Sequence, residues 1–111
     1  MHLVERRDAA VIIYVKDILD RAEAAKLAST ITLAEDDKNA RIIVSMERCK
    51  SCDSAGLAVL ALAHRRIGSN FIVVLPEGAP CRRTFMVTGL STLMHLAPSV
   101  QGALEVQLGA A

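Results

Sequence analysis

The 111-residue chain is short of aromatic side chains: no Trp, one Tyr and two Phe. Without large rings, a core must be built from Ala, Val, Ile and Leu, which suits packed helices and parallel strands. A charge excess of one sign is also missing. Thirteen Lys and Arg stand against twelve Asp and Glu, a net +1, so the strong basic excess or stripe of a nucleic-acid binder is absent. The pairs Arg65-Arg66 and Arg82-Arg83 read as solvated helix faces. No apolar run approaches the roughly 18 to 20 residues that span a bilayer. Residues Met1 to Arg7 carry acidic and basic groups where a signal peptide would be apolar. A soluble cytoplasmic protein without membrane insertion is expected. Cysteines are few and odd in number, Cys49, Cys52 and Cys81. That fits a reducing compartment better than a disulfide framework.

What is present is a chain 52% apolar, enough for one domain over residues 1–111. Leu3-Val4 and Val11 to Val15 read as a hairpin turning at Arg7-Asp8, the first strand at an edge. From Asp20 to Asp36 the spacing of Ala24, Leu27, Ala28 and Ile31 is that of one helix face. Asp20 is its cap, with Glu23 completing a capping-box-like pair, and Asp36 to Asn39 form a polar loop. Arg41 to Met46 is a third strand. Leu57 to Ile67 is a helix stopped by Gly68, and Phe71 to Leu75 is a fourth strand ended by Pro76. Pro80 starts a helix with Phe85 inward and Gly89 at its end. A strand-like or irregular piece follows, and Pro98-Ser99 opens a last helix carrying Val100, Ala103 and Leu104. Strands alternating with helices need crossovers, which gives a mixed sheet with a parallel centre.

The most informative segment is Cys52-Asp53-Ser54-Ala55-Gly56-Leu57, between the third strand and an apolar helix. A carboxylate and a hydroxyl stand at a helix mouth, where backbone N–H groups lack partners and negative charge is favoured. Ala55 and Gly56 leave room for another protein to approach. From Leu57 to Ala63 every residue is apolar. Such a helix is either buried on all sides or offers its outer face to a partner, here a low-relief patch at Ala58 and Ala61. The segment reads as a phosphorylatable docking site.

Rival chemistry is weaker. Cys49-Lys50-Ser51-Cys52 is a CxxC, but Asp53 opposes a thiolate, and too few further ligands exist for zinc. The default is two ordinary thiols in a small-residue loop; no metal and no cofactor are expected. His2, His64 and His95 are widely spaced and read as surface or edge residues. His64 lies about ten residues along the helix from Ser54, some 15 Å away, too far for a triad.

Cys52-Asp53-Ser54-Ala55-Gly56-Leu57-Ala58-Val59-Leu60 resembles the Asp-Ser-(Ser/Thr)-Gly-Leu-Gly-Val-Leu signature of STAS domains, the family of bacterial anti-sigma factor antagonists. Ile18-Leu19-Asp20, Thr88-Gly89-Leu90 and Pro98-Ser99 through Ala103-Leu104 resemble further family motifs in the family's order. The resemblance implies a STAS-like α/β fold, a mixed four- to five-stranded sheet with about four helices largely on one side. It implies a transcription regulator that is not an enzyme and is a monomer or weak homodimer. The unmodified protein binds an anti-sigma factor that is also a serine kinase, phosphorylation ends binding, and a phosphatase resets the switch. On this chain the phosphorylation site is Ser54, and the partner-binding residues are Asp20, Asp53, Ser54, Ala55, Gly56, Leu57, Ala58 and Ala61.

This chain departs from the family pattern. Ala55 replaces the second signature hydroxyl, so either Ser54 accepts the phosphate or the chain is a constitutive partner. Ser45 stands where many relatives have Asp, and Lys16-Asp17 replaces a small residue and Gly. An alternative of the same fold is a non-phosphorylated adaptor subunit of a lipid-transport ABC complex or of a sensory assembly. A third reading is an enzyme or redox protein using Ser54 or Cys49/Cys52.

Overall fold

A computed structural model describes residues 2–36 and 40–106. Asp37, Lys38 and Asn39 of the expected polar loop lie outside the described residues. Strands β1 (Leu3–Arg7) and β2 (Ala10–Leu19) form an antiparallel hairpin. Asp8 sits in its turn at φ 55°, a left-handed conformation that Asp tolerates better than most residues. Helix α1 (Arg21–Ala34) leads to β3 (Arg41–Cys52), then α2 (Ser54–Ile67) and a 3-10 turn at Gly68–Asn70. Strand β4 (Phe71–Val74), the short helices α3 (Arg82–Thr88) and α4 (Leu90–Leu93), strand β5 (Leu96–Ala97) and helix α5 (Val100–Glu105) complete the order. Gly68 and Gly89 both take φ 79° and end α2 and α3, as their positions in the sequence suggest. The last helix of the α3–α4 pair starts at Leu90, and α3 itself begins two residues after Pro80.

The five strands lie in chain order, β1-β2-β3-β4-β5, with only β1 antiparallel. Successive parallel crossovers that advance in one direction, each with the usual hand, place their helices on one face. The side chains agree. Val11, Ile13, Val15, Ile42, Val44, Met46, Phe71 and Val73 point to that face, where Leu27, Ile31, Leu60, Ala63, Phe85 and Met94 bury them. The alternate residues Ile12, Ile43, Ile72 and Val74 point to the opposite face, where Ala103 of α5 covers them. Four helices therefore share one side and α5 takes the other. The strand centres are continuous apolar runs because both faces are covered.

Arg41 secures α5. Its guanidinium donates to the carbonyls of Ala103 at 2.7 Å, Leu104 at 2.8 Å, and Val106. These are carbonyls at the helix end, which lack partners within the helix, and a cation there also complements the dipole. Arg82, read from sequence as a solvated residue, is likewise structural and donates to the Leu75 carbonyl at 2.7 Å. Arg66 pairs with Glu35 and ties the end of α2 to the end of α1.

Strands β2 and β3 run further than expected, to Leu19 and Cys52 rather than Val15 and Met46. Pairing with β4 stops at Ser45, so beyond it β2 and β3 continue as a two-stranded arm. Two register shifts, between Tyr14 and Lys16 and between Asp17 and Ile18, interrupt the apolar pattern and hide the strand from a periodicity argument. At the second shift Asp17 is held at φ 59°. The position suits the Gly of the family pattern, since only Gly enters this region without steric cost.

Candidate functional site at the paired helix mouths

The arm positions the site. Leu19 of β2 pairs with Cys52 of β3, and the Asp53 amide donates to the Leu19 carbonyl at 3.2 Å. Parallel strands that end level deliver the next residues side by side, and here these are Asp20 and Asp53. Each caps a helix in the same way. Asp20 Oδ1 accepts from the Glu23 amide at 3.0 Å, and Asp53 Oδ1 accepts from the Gly56 amide at 3.1 Å. Each cap residue is extended, at φ −90° and −92°, as an N-cap should be. The mouths of α1 and α2 thus open on one rim, at the carboxyl ends of parallel strands, where α/β sheets place their binding sites. The capping box at α1 is only half built, since the Glu23 carboxylate lies near Lys26, at 3.6 Å, and His2 instead.

Ser54 is the first residue of α2 and is exposed, as are Asp20, Asp53 and Ala58. Ala55 is half-buried. Gly56 and Leu57, named from sequence as docking residues, lie beneath the surface. Leu57 is 8% exposed and joins the core, and Gly56 packs on Leu19 and Cys52. These two support the site from below. Ala61 also leans toward the core and is half-buried. Its place on the outer stripe is taken by Leu62, 56% exposed. Ser54, Ala58 and Leu62 are spaced four apart and share one face. That spacing was available in the sequence and identifies Leu62 as the large apolar group beside the hydroxyl. An open groove of about 420 Å³ adjoins the rim, with Asp20, Glu23, Tyr14 and Lys16 among its walls.

The residues of the rival readings do not converge on Ser54. His64 lies in the last turn of α2, at the far end from the hydroxyl. His2 is no surface group: its side chain is 4% exposed and Nε2 lies 3.2 Å from the Glu23 carbonyl. His95 is exposed between α4 and β5. Cys49 and Cys52 belong to the β3 arm rather than to a loop. Among the described residues no cluster of His, Cys, Asp and Glu is arranged to hold a metal ion. Among them, too, no helix is long and apolar enough to cross a membrane.

A model of the STAS domain matches residues 2–103 of the sequence. The chain belongs to the STAS domain family. No curated protein sequence matches it. Among solved structures, an anti-sigma factor antagonist from Mycobacterium paratuberculosis is similar at 27% identity with a TM-score of 0.82, over 94% of this chain and 90% of that one. SpoIIAA, an anti-sigma factor antagonist, is similar in its unphosphorylated form at 22% identity and a TM-score of 0.75, over 95% of this chain and 94% of that one. The phosphorylated form of the same Bacillus cell-fate determinant aligns at 22% identity with a TM-score of 0.68, over 95% and 97%. The STAS fold is therefore present with five strands and five α-helices among the described residues.

Proposed function

We propose that this STAS domain is an anti-sigma factor antagonist that binds an anti-sigma factor with serine-kinase activity through the rim of Asp20, Asp53 and Ser54 and the outer stripe of α2. One observation carries the reading. A lone exposed hydroxyl stands at the first position of an apolar helix, and small residues around it, Ala55 and Ala58, leave it approachable. The likeness to the mycobacterial antagonist supports the choice of partner class. In the unmodified protein the stripe offers apolar area and the hydroxyl an uncharged contact. A phosphate on Ser54 adds about −1.5 to −2 charge. The α2 mouth favours that charge within the molecule, but Asp53 is adjacent in sequence and Asp20 emerges on the same rim. The added charge and bulk then oppose a close interface, and a phosphatase restores binding.

The test is incubation with candidate anti-sigma kinases and ATP, followed by mass measurement and binding assays. Wild type is expected to gain one phosphate on Ser54 and lose the partner. Ser54→Asp is expected to bind at least tenfold more weakly than wild type, and Ser54→Ala to bind persistently. Equal binding by wild type and Ser54→Asp refutes release by charge. Binding by Ser54→Ala, with no phosphate ever found on wild type, identifies a constitutive partner. No binding to any anti-sigma kinase turns the reading to the adaptor alternative.

A further inference from the structure

The two-stranded arm carries a second charged surface beside the rim. Lys16 of β2 and Arg48 of β3 are register partners across it, and both are exposed. Neighbouring strands lie about 4.8 Å apart, so two like charges are set against each other at a cost in stability. Among the described residues no ion pair reaches either of them. The carboxylates of the arm are engaged elsewhere. Asp17 lies 3.9 Å from Lys50, and Glu47 accepts from Ser45 Oγ at 3.0 Å. Lys16 and Arg48 stand between two open depressions, one of about 310 Å³ with Tyr14 and Ser45, the other beside Lys50 and Pro80. Lys16 is also a wall of the groove at the rim, which runs past Ile18 to Asp20. Ile18 is 53% exposed, an apolar side chain among charges.

We propose that the footprint of the anti-sigma factor continues from the rim along this groove, over Ile18, and that Lys16 and Arg48 receive an acidic surface of that partner. The inference rests on the docking reading above and names the chemistry of a further contact.

The order of charges along the groove supports an acidic occupant. Asp20 and Asp53 make the rim negative, and the unpaired cations of the arm follow a few residues away. Two adjoining patches of opposite sign match a complementary partner in one orientation only, so they steer its approach and fix its pose. A nucleic acid is a poorer occupant, because only two unpaired cations stand here and the rim beside them is acidic. The two parts of the contact act on different rates. Exposed, solvated charges hold a bound partner weakly but speed its arrival. Ile18 adds apolar area that is covered only in the complex, so it acts on the residence time.

The test is stopped-flow association of the full chain with the anti-sigma kinase that wild type binds, at low and at physiological salt. The double variant Lys16→Glu/Arg48→Glu is expected to associate roughly tenfold more slowly at low salt, and the gap is expected to close as salt rises. Its melting temperature should stay near that of wild type, since both residues are exposed. Arg65→Glu, an exposed reversal in the last turn of α2, separates local from overall charge and should slow association less than about twofold. Ile18→Ser should leave association unchanged and speed dissociation several-fold. A double variant that associates as fast as wild type, or no more slowly than Arg65→Glu, overturns the proposal, as does faster association, which marks a basic surface opposite the arm. If Ser54→Asp weakens binding while the double variant does not, the arm lies outside the footprint and docking at Ser54 stands. If wild type binds no anti-sigma kinase, both readings fall together.

Discussion

Replacing Gly56 by Ala sets two effects against each other, and the structure decides the sign. Gly within a helix costs about 1 kcal/mol relative to Ala, so an unhindered site would gain that much. This site is hindered. A Cβ at Gly56 would stand 2.7 Å from Leu19 Cγ, 2.8 Å from Cys52 Sγ and 2.8 Å from Leu19 Cδ2. Leu19 is fully buried and hemmed in, so it has little room to retreat. Overpacking of this kind costs roughly 1 to 3 kcal/mol, and two residues pressed inside contact distance argue for the upper end. The net expectation is a loss of about 2 kcal/mol. Urea denaturation should then show a lower midpoint with an unchanged slope, since a compact native state is retained. Leu19→Ala removes both Leu19 atoms that the new Cβ would meet, Cγ and Cδ2, so Gly56→Ala should cost less in that background than in wild type. The coupling expected is about 1 kcal/mol, within the range for residues in contact. An Ala variant as stable as wild type, or additive effects of the two substitutions, would refute the close approach of α2 to the end of β2.

Asp17→Gly should stabilise the protein. Relief of the left-handed backbone at φ 59° is worth about 1 to 2 kcal/mol, and the greater freedom of Gly in the unfolded chain returns roughly half of it. The exposed Asp17–Lys50 pair at 3.9 Å that is lost is worth little. A lower urea midpoint would count against strain at this bulge. Tyr14 is the only tyrosine, and no tryptophan obscures its absorbance. Its hydroxyl donates to Glu5 at 2.6 Å, and that bond, then burial, holds its pKa above the usual 10.0. A raised pKa means that stability from this bond is complete below the unfolded value and is lost as pH rises through the folded one. Spectrophotometric titration should give a midpoint above that of a free tyrosine, and Glu5→Gln should move it back down. An unshifted midpoint in wild type would refute the bond.

The parts of the fold that could be read from residues were those with local causes. Asp20 and Ser99 as caps, Gly68 and Gly89 as stops, and Phe85 as a core residue follow from types and spacing that act within a few positions. The arm was not legible, because its two register shifts break the apolar pattern after Val15 and Met46. Nor was the role of Arg41, whose partners lie more than 60 positions away. At the site, the hydroxyl, the two carboxylates and Ala58 were found from the signature and the apolar helix. The inward turn of Leu57 and Ala61 was not, because a run from Leu57 to Ala63 without a polar residue does not say which side faces the sheet.

A sheet whose spatial order repeats its chain order can be assembled as it is synthesised. Each strand that emerges finds its neighbour already in place, and none has to be inserted between two others. The final step is different in kind. Arg41, made early, waits for carbonyl groups that arrive 62 to 65 positions later. Growth of the sheet is sequential, and the late return of α5 to β3 seals its second face.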